Sequence, residues 1–261
     1  MFPYKDENPT FHPTVVTWLL VGLNVVVWVF VQGLGSEPML TRSVCDLGLI
    51  PGELLGRVPV GTEIQLGPSA SCELGGPNPV TPVTSMFLHG GWFHLLGNMM
   101  FLWVFGDNVE DSMGHGRFVV FYLLCGLVAA GAQMAINPSS PIPMVGASGA
   151  IGGVMGAYVV LYPKARIRVL VFFGLIFTVV VPAYLMLGYW FLLQLLGGLP
   201  LIGAEGGGGG GVAVWAHIGG FVAGALTINL FKDPERVAKH RQGLARMQGG
   251  WGRYHRGGGY G

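Results

Sequence analysis

The chain has 261 residues, 51% of them hydrophobic and only 10% charged, with a mean hydropathy of +0.57 and a net charge of +1. So little charge cannot cover the surface of a soluble domain, whereas 45 glycines suit helices packed closely in lipid. No basic groove with interleaved aromatics is present, which speaks against a nucleic-acid partner, and the expected class is an all-α integral membrane protein.

Met1 to Thr10 is polar and acidic with no signal-peptide pattern, so the first apolar run is expected to be a retained anchor. Six segments read as spanning helices, at 15–35, 84–106, 117–136, 148–162, 169–197 and 212–231. The expected organisation is a cytoplasmic N-terminal segment at 1–14, a six-helix domain at 15–231 and a basic, Gly-rich, disordered cytoplasmic tail at 232–261. The long external loop at 36–83 has hydrophobic stretches and is expected to be a structured piece at the membrane interface. Within it, Cys45 and Cys72 form a bridge if the loop faces an oxidising space and stay free thiols otherwise. Cys125 lies in an apolar run and reads as a small packing residue. The loop at 137–146 carries three prolines and leads into Gly146-Ala147-Ser148-Gly149, and the run Gly206 to Gly211 reads as a flexible tether.

Lys5, Arg117, Lys164, Arg166, Arg168 and seven tail residues fall on one side of these spans, and only Arg42 and Arg57 on the other. The positive-inside rule then places both termini in the cytoplasm. The expected location is the cytoplasmic (inner) membrane of a bacterium, as a multi-pass protein.

The fourth segment is short. Its 15 residues reach about 22 Å, against a hydrocarbon core about 30 Å thick. If its inner end sits at Pro163-Lys164, Ser148 opens the helix below the outer surface, and the loop before it descends into a buried or wet cavity. His217 precedes Lys232 by 15 residues and Ser148 precedes Lys164 by 16, so the two lie at nearly one depth. His94 and Asn98 share a face of the second segment, within about one turn of the same height. Gly149/Gly153, Gly152/Gly156 and Gly220/Gly224 form small-xxx-small patterns that let the fourth and sixth segments meet. Gly146, Gly149, Gly220 and Gly224 are thus the expected close-packing positions around the site.

A serine hydroxyl becomes a nucleophile when a base takes its proton, and His217 is the base at that depth. The anion formed on an attacked carbonyl needs donors, which His94, Asn98 and the Ser148 N–H can supply. With no Asp or Glu in the apolar cores, a dyad is expected rather than a triad. Singly, each residue has a plainer reading: Ser148 as helix packing, His217 as a structural hydrogen-bonder, His94 and Asn98 as partners of a loop carbonyl. Their combination at one level favours catalysis.

At these residues the sequence resembles the rhomboid intramembrane serine proteases, over roughly Val15 to Phe231. Gly146-Ala147-Ser148-Gly149 matches the family's GxSG motif, Ala216-His217-Ile218-Gly219-Gly220 its AHxxG motif, and His94-Leu95-Leu96-Gly97-Asn98 its HxxxN motif. The stretch Gly106 to Gly116, with Glu110, is similar to the family's turn after the second helix. The resemblance implies a compact six-helix rhomboid-like bundle, no metal and no other cofactor. It implies membrane-anchored protein substrates cut in the lipid bilayer near the outer face, beside small residues. The fifth helix, near Trp190 and Phe191 at its outer end, would be the gate. Two positions depart from the family. Gly152 stands where some members have a Tyr stacked on the histidine, and the first loop has no Trp. The competing readings are a non-catalytic rhomboid-like protein that binds membrane clients, a metalloprotease built on His89 and His94, and a channel or transporter. The second lacks H-E-x-x-H, and the third lacks a charged pore path.

Overall fold

The computed structural model describes residues 2–67, 70–199 and 213–254, so the glycine run Gly206 to Gly211 lies outside the described residues. Strand β1 (Phe2–Asp6) precedes α1 (Val15–Phe30). The following loop carries α2 (Met39–Leu47), α3 (Pro51–Leu54), the hairpin of β2 (Glu63–Gly67) and β3 (Ala70–Glu73), and α4 (Thr81–Thr84). Then come α5 (Trp92–Met113), α6 (His115–Ile136), α7 (Ser148–Leu161), β4 (Arg166–Phe173) and β5 (Leu175–Pro182). The last elements are α8 (Ala183–Gly198), α9 (Val214–Phe231) and α10 (Pro234–Tyr254).

Helix α7 is the centre of the bundle: every residue from Gly149 to Tyr158 is buried. Glycine is what lets α9 lie against it. A Cβ on Gly220 would sit 1.9 Å from the Gly149 carbonyl oxygen, and one on Gly224 would sit 1.9 Å from that of Gly153. The outer face is the opposite. Phe93, Leu230 and Leu226 are 94%, 82% and 74% exposed, as suits a surface bathed in lipid. Helices α6 and α9 are long and apolar enough to cross a membrane by themselves, while α1, α7 and α8 are apolar but only 14 to 16 residues long.

Three expectations are corrected. The fifth span, 169–197, is not one helix: its first half belongs to the ribbon β4–β5, and helix begins only at Ala183. That run is rich in Val, Ile and Phe, which favour pleated backbone. Gly174 turns the ribbon at φ 71°, and β1 pairs antiparallel with β4 to give the order β1-β4-β5. Hydropathy registers the cost of entering lipid and is blind to which backbone form does so. The second span, 84–106, is shifted. Its helix starts at Trp92, after Gly90 and Gly91, and continues to Met113. The acidic residues past 106 stay helical because each has a partner. Glu110, fully buried, accepts from the Val16 and Thr17 N–H groups, at 2.9 and 2.7 Å, and so caps α1. His115 also pairs with it, and His12 pairs with Asp111.

The third correction is the tail, expected to be disordered from 232. It is helical over Pro234–Tyr254. Asp233 accepts from the N–H groups of Glu235 and Arg236, and Pro234 suits the first helical position. Val237 and His240 are buried, with the His240 ring against Phe11 and Tyr162. The N-terminal segment is docked as well. The Asp6 carboxylate accepts from the Tyr158 hydroxyl at 2.6 Å and the Asn108 amide at 3.0 Å. In the long loop, Cys45 and Cys72 form a disulfide, tying α2 to β3, while Cys125 is free and buried.

Candidate active site

Helices α5 and α9 both pack on α7. Ser148 is the first residue of α7, with the loop before it fixed by the Gly146 N–H donating to the Ser85 carbonyl at 2.9 Å. His217 sits in the first turn of α9, whose leading N–H groups at Trp215 and Ala216 donate to the Gln133 side chain of α6, at 3.1 and 3.3 Å. His217 Nε2 lies 2.7 Å from Ser148 Oγ. The fold thus brings together two side chains separated by 69 residues.

His94 and Asn98 lie in the first two turns of α5. The Gly90 N–H donates to His94 Nδ1 at 3.3 Å, which leaves Nε2 to carry the ring proton. That Nε2 faces the loop before Ser148: a Cβ on Gly146 would meet it at 2.7 Å and Ser148 Oγ at 3.5 Å. Gly146 also has φ 130°, a backbone region that side chains resist. Its place is therefore the entry loop, beside His94, while Gly149, Gly220 and Gly224 serve the α7–α9 contact. The Asn98 side chain is buried, and its amide nitrogen has no hydrogen-bond partner among the described residues. Beside Ser148 a small pocket is lined by glycines and alanines, among them Gly126, Ala129 and Ala216, together with the larger Leu49, Met86 and Met144.

Gly152 explains its own departure from a tyrosine. A Cβ there would lie 3.0 Å from the His217 carbonyl oxygen and 3.4 Å from the Phe221 nitrogen, so α9 occupies that space as backbone. The histidine is contacted from α8 instead. The Trp190 ring lies 5.9 Å from the His217 ring, tilted by 40°, and Gln194 Oε1 lies 2.9 Å from His217 Nδ1. Sequence reasoning singled out Trp190 and missed Gln194. A lone amide in a long apolar run was its only signal, and its value depends on where α8 turns. Trp190 and Phe191 stand mid-helix at the level of His217, not at the outer end of α8, and both rings pack on Phe221.

The family model described as "Rhomboid domain" matches residues 78–233, which carry all four of Ser148, His217, His94 and Asn98. The chain belongs to the Rhomboid family. This rhomboid is 43% identical over 75 residues to "Rhomboid protease GluP" of Bacillus subtilis, covering 29% of this chain and 14% of that protein. It is 26% identical over 180 residues to "Rhomboid protein 1, mitochondrial" of Saccharomyces cerevisiae, covering 65% and 45%. It is also similar to "Rhomboid-like protein 11, chloroplastic" of Arabidopsis thaliana, at 35% over 79 residues, 30% of this chain and 28% of that one. The chain thus spans less than half the length of these relatives. Rhomboids are integral membrane proteins of the lipid bilayer, found in organelles as well as bacteria, and the family includes serine proteases that act on membrane-anchored substrates.

Proposed function

We propose that this rhomboid is an intramembrane serine endopeptidase that hydrolyses peptide bonds in or near the transmembrane segments of membrane-anchored proteins. The observation that carries the reading is the 2.7 Å contact between Ser148 Oγ and His217 Nε2. His217 takes the hydroxyl proton as Oγ attacks the carbonyl, and returns it to the leaving amine; water then releases the acyl group by the same route in reverse. The oxyanion is met by Asn98, by the His94 Nε2–H and by the Ser148 N–H, one of the first in α7 and so without an acceptor inside its helix. The pocket beside Ser148 is small, with Met86, Met144 and Leu49 narrowing its alanine and glycine lining, and so suits a small substrate side chain.

In this arrangement α1, α5, α6, α7, α8 and α9 are the six spans of a domain at 15–231. Both termini and the β1-β4-β5 sheet face the cytoplasm, and the disulfide-bearing loop at 36–83 lies outside. A protein carrying the Cys45–Cys72 bridge fits an oxidising exterior. Short α7 needs no full crossing, because its first residue opens into the site.

The test is cleavage of a membrane-anchored reporter helix by purified protein in liposomes, with fluorophosphonate labelling alongside. Ser148→Ala and His217→Ala are each expected to abolish cleavage, and Ser148→Ala to abolish labelling, with membrane insertion unchanged. Wild-type protein that inserts, binds the reporter and neither labels nor cuts would instead be a client-binding rhomboid.

A further inference from the structure

We infer that Gln194 of α8 is a positioning residue for His217, and that it holds the base in the one tautomer able to accept the serine proton. The inference rests on the dyad reading above. A neutral imidazole carries one proton, and the nitrogen facing Ser148 must be bare to take another. The Gln194 carbonyl oxygen lies 2.9 Å from Nδ1 and can only accept. Nδ1 therefore carries the hydrogen, and Nε2 presents its lone pair to Oγ at 2.7 Å.

Nothing else among the described residues does this work. The position four residues after Ser148 is Gly152, which has no side chain and is filled by the α9 backbone. Hydrogen-bond partners of the His217 ring are Ser148 on one nitrogen and Gln194 on the other. One turn before Gln194, Trp190 lies over the same ring, so α8 supplies both a hydrogen bond and an aromatic wall. An amide also differs from a carboxylate in the same place. It sets the tautomer without adding a charge that would hold the imidazolium form.

Four variants of the full-length protein in liposomes test this, with wild type measured first by labelling and reporter cleavage. Wild type that neither labels nor cuts overturns the dyad reading itself; the outcomes below presuppose that it does both. Gln194→Ala and Gln194→Leu are expected to lower kcat about tenfold to a hundredfold, with KM within a factor of about two, as for loss of one buried hydrogen bond. Gln194→Glu keeps an acceptor at Nδ1 and adds charge. It is expected to retain activity, with the acid limb of kcat against pH moved to higher pH. The structural readout is 15N NMR of the histidine rings, with His217→Ala identifying the His217 signals. Wild type is expected to show the Nδ1–H tautomer, and Gln194→Ala a mixture. Full kcat in Gln194→Leu, or a wild-type His217 protonated at Nε2, overturns the role. Equal losses in all three Gln194 variants, with the Nδ1–H tautomer intact in each, would mean that the residue merely packs, and would overturn it too.

Discussion

Asn98 shows how much of a proposed mechanism rests on one side chain. Its amide nitrogen is buried without a partner among the described residues, a state that costs free energy unless something arrives to accept its hydrogens. On the proposed reading that something is the oxyanion. Asn98→Ala is then expected to lower kcat by about 10² to 10³ while leaving KM nearly unchanged, measured on the liposome reporter. A change confined to KM would mark the amide as a ground-state contact. Ser148, His217, His94 and Asn98 were all legible in the sequence, because spacing along parallel helices converts into depth. Gln194 was not. Its meaning depends on the rotation of α8 about its own axis, which an apolar run does not encode.

Helix α9 is held against α7 by the absence of side chains. A methyl group at Gly224 would lie 1.9 Å from the Gly153 carbonyl oxygen, and the close approach of the two helices leaves no room for it. Gly224→Ala is expected to lower unfolding stability by about 1–3 kcal/mol and to cut activity with it, since His217 rides on the same helix. Gly22→Ala is the control, because nothing lies within 4 Å of that position on α1. Thermal unfolding in detergent, read beside reporter cleavage, separates the two; equal behaviour would mean that α9 is positioned by something other than glycine packing. The glycine pattern was readable in advance. The β4–β5 ribbon was not, because Val, Ile and Phe serve a strand and a lipid-facing helix equally well in a hydropathy count.

Across the whole molecule, the N-terminal strand is tied to the bundle by a carboxylate. Burial pushes the Asp6 carboxyl up to about 7, opposed by the Tyr158 hydroxyl hydrogen bond and reinforced by the nearby Asp107 charge. The folded state therefore holds this proton more tightly than the unfolded chain, where an aspartate carboxyl titrates at its ordinary value of 3.8. Its contribution is fully present below about 4 and is lost as pH rises to about 7. Asp6→Asn cannot ionise, so it is expected to flatten that part of the profile, gaining on wild type between pH 5 and pH 8. Thermal unfolding at several pH values checks this, and an unchanged slope would place the titrating group elsewhere. Asn108 and Tyr158 face the same carboxyl and remain in the variant.

The sequence by itself determined the membrane class and the family, and it singled out a hydroxyl, an imidazole and two further donors as candidates for one site. Those follow from composition, from short motifs and from a fixed rise per residue, all of which are local properties. Tertiary structure alone decided that α8 supplies the partner of His217, that Gly152 is filled by backbone, and that the N-terminal strand, the ribbon and α10 close the same end of the bundle. Each of these depends on how one element is rotated and seated against another far away in the chain, and contact between distant elements is set by packing rather than by periodicity.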